Sequence, residues 1–353
     1  MNRAKTLGML LFRALLFSAI QVSSHANAQS APQNSSRANS PQKILAYYES
    51  AGSYDSLTTF SSSIDQLSTD TLGVDMEGKI KGNAPEKALA FAKSKGMPSF
   101  ACVSNFGAHD FDPKIAHAVL ANTKIKQRVI AGLLKRVQDA GYSGVNIDFE
   151  SINHEERKQF SAFVREVARK MHAAGLLTVV SVPAKRQDDP NDAWTGAFDF
   201  ATLGRDADIL QVMTYDQHGP WGAPGAVAGL NWVEPSIQYA LSVVPASKVS
   251  LGIPAYGYDW NLTKKTGEQI HWKDIPALIA NTGAAAQWDA ASSSPFFNYQ
   301  AADGSSHVVW YEDAKSIPLK SALAVSYKLA GVSVFALGFE DAEFWRALHA
   351  GGF

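Results

Sequence analysis

Cysteine is almost missing. The 353 residues hold one, Cys102, which excludes an intramolecular disulfide and any cysteine-rich zinc site. A charge excess is missing too: 32 Lys and Arg stand against 33 Asp and Glu, with no long run of one sign. Nothing in that balance suits a nucleic-acid partner. Glycine (26) and proline (15) stay at ordinary levels, which excludes collagen-like and wholly disordered chains. There is no glycine-rich phosphate loop and no G-x-S-x-G elbow. His154-Glu155 lacks the second histidine of a metalloprotease helix, and the nine histidines show no metal spacing. No metal and no cofactor is expected.

The N-terminus carries Arg3 and Lys5, then the mostly apolar Leu7–Ile20, then the small-x-small Ala26-Asn27-Ala28. This is the layout of a secretory signal peptide spanning residues 1–28, with cleavage after Ala28. A membrane anchor is the competing reading, but the apolar run, broken by Arg13, falls short of the about 20 residues that span a bilayer. Cleavage removes Arg3, Lys5 and Arg13 and no acid, lowering the net charge from −1 to −4. The mature protein is expected to be secreted or periplasmic, without membrane insertion. Residues 29–42 are rich in Ser, Asn, Pro and Gln and read as a flexible linker.

From residue 43 onward, short apolar runs alternate with helical patterns. Strands are predicted at Ile44–Tyr48, weakly at Leu72–Lys81, and at Ser99–Asn105, Tyr142–Glu150, Leu176–Pro183, Ile209–Tyr215, Val249–Tyr256 and Gly331–Leu337. Helical spacing is clearest in Phe160, Phe163, Val164, Val167, Ala168 and Met171. Near-continuous apolar strands are those of a parallel sheet covered on both faces. About eight strand–helix units over residues 43–353 favour a (β/α)8 barrel over a doubly wound sheet. Residues 261–313, between the seventh strand and seventh helix, are too many for a βα loop. They read as a small insertion at the strand C-terminal rim, where barrel active sites lie.

In Gly144-Val145-Asn146-Ile147-Asp148-Phe149-Glu150, alternation puts Asn146, Asp148 and Glu150 on one face and Val145, Ile147 and Phe149 on the other. Two close carboxyls cannot both ionise easily, so at least one pKa should rise. An acid still protonated near neutral pH is what cleavage of a glycosidic bond needs. A lone Asp-x-Glu is more often an exposed strand end. Here it closes a strongly apolar strand.

The stretch resembles the D-x-x-D-x-D-x-E motif on the fourth barrel strand of glycoside hydrolase family 18, the chitinases and their relatives. It looks most like the branch holding spore-cortex N-acetylglucosaminidases. Val182-Pro183-Ala184-Lys185, Met213-Thr214-Tyr215-Asp216, Leu251–Trp260 and Gly331–Gly338 extend the resemblance over roughly residues 43–350. It implies that Glu150 is the general acid and then the base, and that the substrate's 2-acetamido oxygen is the nucleophile. Asp148 would hold the acetamido N–H and Tyr215 its carbonyl oxygen. Asp216 would contact hydroxyls and Met213 would line the subsite. The chain departs from the motif at Ser143 and Asn146, where the family has aspartates, and at Phe335, where it usually has tryptophan. Asn146 can donate a hydrogen bond but cannot share a proton; it is expected to bind substrate, and Phe335 to offer the sugar an apolar platform.

Sugars stack on aromatic rings, so Trp221, Trp260 and Trp288 are candidate walls, with Trp260 first because it ends the predicted seventh strand; core packing is the alternative for each. Lys185, Arg186 and the acidic loop 188–192 either hold an anionic or peptide-bearing substrate or are simply solvated. His218 is a candidate rim contact. The expected function is an exported retaining hydrolase of β-1,4-linked N-acetylglucosamine glycans, from peptidoglycan or chitin, with the branch resemblance favouring peptidoglycan. The alternative is a catalytically weak or silent carbohydrate-binding barrel.

Overall fold

The apolar runs become parallel strands. The protein is described by a computed structural model over residues 42–353. The expected signal peptide (1–28) and nearly all of the expected linker (29–42) lie outside the described residues. Gln42, expected to end the linker, is instead buried and donates from Nε2 to the Ala324 carbonyl.

The barrel strands are β1 (Lys43–Tyr48), β2 (Gln66–Val74), β4 (Ser99–Ser104), β5 (Gly144–Asp148), β6 (Leu177–Pro183), β7 (Ile209–Met213), β8 (Val249–Pro254) and β14 (Gly331–Phe335). All pair in parallel, and β1 meets both β2 and β14, closing the cylinder. The short β3 (Ile80–Gly82) pairs antiparallel with β2. The second strand thus starts at Gln66, earlier than the apolar pattern suggested. Ser68, Thr69 and Asp70 occupy its middle, and alternation turns Ser68 and Asp70 into a polar interior.

Helices cover the outside: α1 (Ser53–Thr59), α2 (Glu86–Ser94), α3 (Pro113–Ala121), α4 (Thr123–Ala140), α5 (Arg157–His172), α6 (Phe200–Asp206) and α7 (Leu230–Val243). The periodic residues of α5, from Phe160 to Met171, are all buried. Asn122 divides α3 from α4 by leaving the helical conformation and capping the Lys124 and Ile125 amides. Val145, Ile147 and Phe149 are fully buried on the helix side of the wall.

After Pro254 the chain spends one residue, Ala255, between the barrel and a second sheet. This antiparallel sheet is ordered β10-β9-β13-β12-β11, from β9 (Tyr256–Asn261), β10 (Thr266–His271), β11 (Gln287–Asp289), β12 (Ser294–Gln300) and β13 (Ser306–Trp310). It encloses α8 (Ile275–Thr282) and precedes α9 (Ser316–Ser326); α10 (Ala342–Ala350) ends the fold. The inserted sheet therefore starts at Tyr256. Trp260 lies within it, not at the end of a barrel strand. A fully buried antiparallel strand following a fully buried parallel one carries no break in hydropathy to mark the junction.

Candidate active site

Barrel interiors fill with side chains from alternate strand positions. Here one interior layer is polar. Asn146 Nδ2 donates to the Tyr47 hydroxyl (2.9 Å) and to Ser68 Oγ (3.2 Å), and Asn146 Oδ1 accepts from Ser181 Oγ at 3.1 Å. Tyr47 also donates to Gln211 Oε1, whose amide donates to Ser333 Oγ. The network joins β1, β2, β5, β6, β7 and β14. Asn146, expected to bind substrate, is instead completely buried in it beneath the cleft, because its amide is committed to Tyr47, Ser68 and Ser181.

Two residues further along β5, Asp148 reaches the floor of an open cleft of about 2850 Å³. That exceeds the roughly 300–1,000 Å³ of a drug-sized pocket and suits an oligomer. Asp148 is 8% exposed, and its Oδ1 is buried without a hydrogen bond. Burial, then the Asp70 charge, pushes its pKa up to about 8. Glu150 follows β5 and lines the same cleft. Asn105, just past β4, fixes its backbone from both sides: Asn105 Oδ1 accepts the Glu150 N–H at 2.9 Å, and Asn105 Nδ2 donates to the Glu150 carbonyl at 2.8 Å. Burial, then the charges of Asp148 and Asp216, raises the Glu150 carboxyl well above its ordinary value.

Met213, Tyr215 and Asp216 leave β7 into the cleft. Asp216 takes a left-handed backbone conformation (φ 60°), as does Ser151 beside Glu150 (φ 52°). Such conformations persist where the surroundings enforce them, commonly at functional sites. Asp216 Oδ1 accepts from the hydroxyls of Tyr256 (2.7 Å) and Tyr258 (2.8 Å), both on the inserted sheet. Burial raises its carboxyl while those bonds hold it down. Phe335 ends β14 as an apolar floor, with ring centroids 5.6 Å from Tyr47 and 6.0 Å from Tyr215.

Glu150, Asp148, Tyr215, Met213, Asp216 and Phe335 thus share one cleft. Trp260 does not line it: its ring is 3% exposed and packs edge-on to Tyr258 at 5.7 Å. Trp288 lies under the Lys315 ammonium, 3.5 Å from its ring centre, and His218 also sits outside the lining. Trp221, 42% exposed, does line the cleft, as does Trp194, 50% exposed, which the sequence reading had not singled out. Lys185 is buried, donating to Asp188 Oδ1 and the Phe198 carbonyl, whereas Arg186 is exposed at the rim. Sequence reasoning also missed Glu49, Asp70 and Asn105. Burial, reinforced by Asp70, lifts Glu49 to about 7; burial lifts Asp70 to about 6. The signal for Glu49 and Asn105 was their place just past a barrel strand, and for Asp70 a polar position in the middle of β2.

Carboxyls raised by burial over an aromatic floor at the carboxyl ends of barrel strands suit protonation of a glycosidic oxygen, and by fold and site this is a glycosidase. Comparison specifies which kind. The model for glycosyl hydrolases family 18 matches residues 43–340, and the chain belongs to that family. It is 41% identical over 302 residues to the "uncharacterized glycosylase YvbX" of Bacillus subtilis, covering 85% of this chain and 88% of that protein. It is 27% identical over 263 residues to the cortical fragment-lytic enzyme of Bacillus subtilis, covering 73% of this chain and 61% of the relative. Among solved structures, a chitinase from Chromobacterium violaceum superposes with a TM-score of 0.83 at 41% identity, covering 88% of this chain and 98% of that one.

Proposed function

We propose that the protein is an exported, retaining hydrolase that cleaves β-1,4-linked N-acetylglucosamine glycans with the substrate's own acetamido group as nucleophile. The observation that carries the reading is the juxtaposition of a cleft-facing Glu150, its carboxyl raised by burial and by the Asp148 charge, with Asp148, whose buried Oδ1 has no hydrogen-bond partner among the described residues. An unpaired buried acceptor is costly, and an acetamido N–H would satisfy it. Glu150 protonates the leaving oxygen while the acetamido oxygen attacks C1. Asp148 accepts the N–H and stabilises the resulting oxazolinium cation, and Tyr215 donates to the acetamido oxygen. Glu150, now the base, takes a proton from the incoming water, which retains the anomeric configuration. Asp216 and Met213 contact the sugar, and Phe335 supports its apolar face. Trp194 and Trp221 extend the stacking surface outward.

Eleven Asp and Glu side chains line the cleft against Lys185, Arg186 and Lys264. Lys185 and Lys264 are already paired, with Asp188 and Asp303. This balance favours an uncharged, chitin-like glycan over one carrying acidic stem peptides, against the tilt drawn from the branch resemblance.

The test incubates the protein and Glu150→Gln with a chromogenic N-acetylglucosamine oligomer, then compares chitin and purified peptidoglycan digests by mass spectrometry. Wild type should release product, with the variant slower by about 10²–10⁴-fold. Equal inertness with retained binding would replace the hydrolase by a carbohydrate-binding protein. Export rests on residues 1–28, and N-terminal sequencing of the mature protein should begin at Gln29.

A further inference from the structure

We propose that Asp70 is a positioning residue for the reaction, a carboxyl on the second barrel strand that shares a proton with Asp148 and takes it when Asp148 accepts the substrate's N–H. The inference rests on the hydrolase reading above and deepens it. Across the sheet Asp70 pairs with Cys102, Cys102 with Asn146, and Ser104 with Asp148. The register slips between Asp70 and Leu72, so Thr71 is an extra residue in β2. A bulge of this kind re-aims its neighbours and is common beside active sites. A carboxylate oxygen of Asp70, one of Asp148 and the Cys102 sulfur all lie within 4.8 Å of one another.

The other groups facing Asp148 do not fit this role. Asn146, its neighbour on β5, has its amide committed to Tyr47, Ser68 and Ser181 and cannot take a proton. Tyr47 from β1, Cys102 from β4 and Tyr215 beyond β7 are all pushed by burial well above their ordinary values and stay protonated. A protonated thiol is also a poor metal ligand. The Glu150 proton belongs to the leaving oxygen. Asp216 is bonded to two tyrosines, and Glu49 is itself raised by burial and by the Asp70 charge, whereas the charge acting on Asp148 is that of Asp70. Asp70 remains.

Burial lifts Asp148 to about 8 and Asp70 to about 6, which leaves one proton between them near neutrality, mostly on Asp148. As the oxazolinium forms, the Asp148 O–H breaks and an O–H forms on Asp70. The pair keeps a net charge of −1, and the anion moves next to the new cation. No bond to substrate forms at Asp70. The departure at Asn146 is thereby answered from another strand.

The experiment has two arms on the full chain. In the first, kcat and KM for an N-acetylglucosamine oligomer are followed against pH for wild type, Asp70→Asn, and Asp70→Asn with Asn146→Asp. Asp70→Asn should lower kcat by about 10–100-fold with KM within about threefold, and should move the Asp148 limb to lower pH, because the negative neighbour that raised it is gone. The double variant, which puts the carboxyl back on β5, should recover at least about tenfold of the loss. In the second arm, 13C-carboxyl NMR titrates the unliganded protein. Asp148 should titrate in two coupled steps in wild type and in one lower step in Asp70→Asn. An unchanged titration, or a kcat loss with neither pH shift nor rescue, overturns the pairing. If Asp70→Asn does not fold, a single ordinary carboxylate step for Asp148 in wild type overturns it alone. Inert wild-type protein with coupled NMR titration would sink the hydrolase reading and leave the pairing standing.

Discussion

On the proposed mechanism, Asp148→Asn should separate holding a sugar from turning it over. The amide keeps the shape and an acceptor oxygen but cannot become an anion beside a developing cation. Steady-state kinetics should show kcat falling about 10²-fold with KM within about threefold; equal losses in both would mean that Asp148 only holds substrate. Asn105→Ala should act on Glu150 through its backbone. Without the two-sided clamp the carboxyl loses its aim, and kcat should fall by about tenfold while the pH limbs stay in place. At this scale the sequence was partly legible. Alternation along one strand correctly put Asn146 and Asp148 on a single face. It could not say that the first would be sealed into a hydrogen-bond layer while the second reached solvent. Nor could it bring Asp70 from β2 to β5, because strand adjacency and register are long-range properties. Trp260 was misplaced because aromatic content reports burial and sugar stacking alike.

The elements succeed where hydropathy changes sharply and fail where it does not. Seven barrel strands and α5 follow directly from apolar periodicity. β2 was blurred because its interior face is polar, and the β8–β9 junction was invisible between two buried strands. Gly252 on β8 shows what register demands. A Cβ there would lie 2.7 Å from Tyr215 Cε1 and 2.8 Å from the Val212 carbonyl. Gly252→Ala should therefore displace Tyr215 and press on the β7 backbone, so kcat should drop at least about tenfold and stability by about 1–3 kcal/mol, read by kinetics and chemical unfolding. Between the inserted sheet and α9, Lys320 Nζ meets Glu312 Oε2 at 2.6 Å, both side chains wholly buried, and Ser316 Oγ donates to the same oxygen. Lys320→Ala leaves a buried carboxylate unpaired and should destabilise by about 3–5 kcal/mol in chemical unfolding. Lys320→Met with Glu312→Leu should recover most of that loss.

For the whole molecule, the raised carboxyls set the pH response. Glu49 (about 7), Asp70 (about 6) and Asp148 (about 8) are protonated in the folded protein where the unfolded chain is ionised. Their contribution is complete below the ordinary carboxylate range and is lost as pH rises through 6 to 8. Each can supply a slope of up to about 1.4 kcal/mol per pH unit. Acids held low by surface partners, such as Asp206 and Glu166, matter only at more acidic pH. Tm should therefore fall from pH 5 to pH 8, and Asp148→Asn should flatten that fall; a Tm that rises over the interval would contradict the burial assigned to these groups. The far wall of the cleft has its own consequence. It is joined to the barrel by Ala255, whose N–H donates to the Phe335 carbonyl, and is pinned again by Trp272 Nε1 on Asp341 and by Lys320 on Glu312. A jaw soldered to its frame at several points does not swing, so oligosaccharide should dock in a single kinetic phase, with stopped-flow rates rising linearly in ligand concentration and never reaching a plateau.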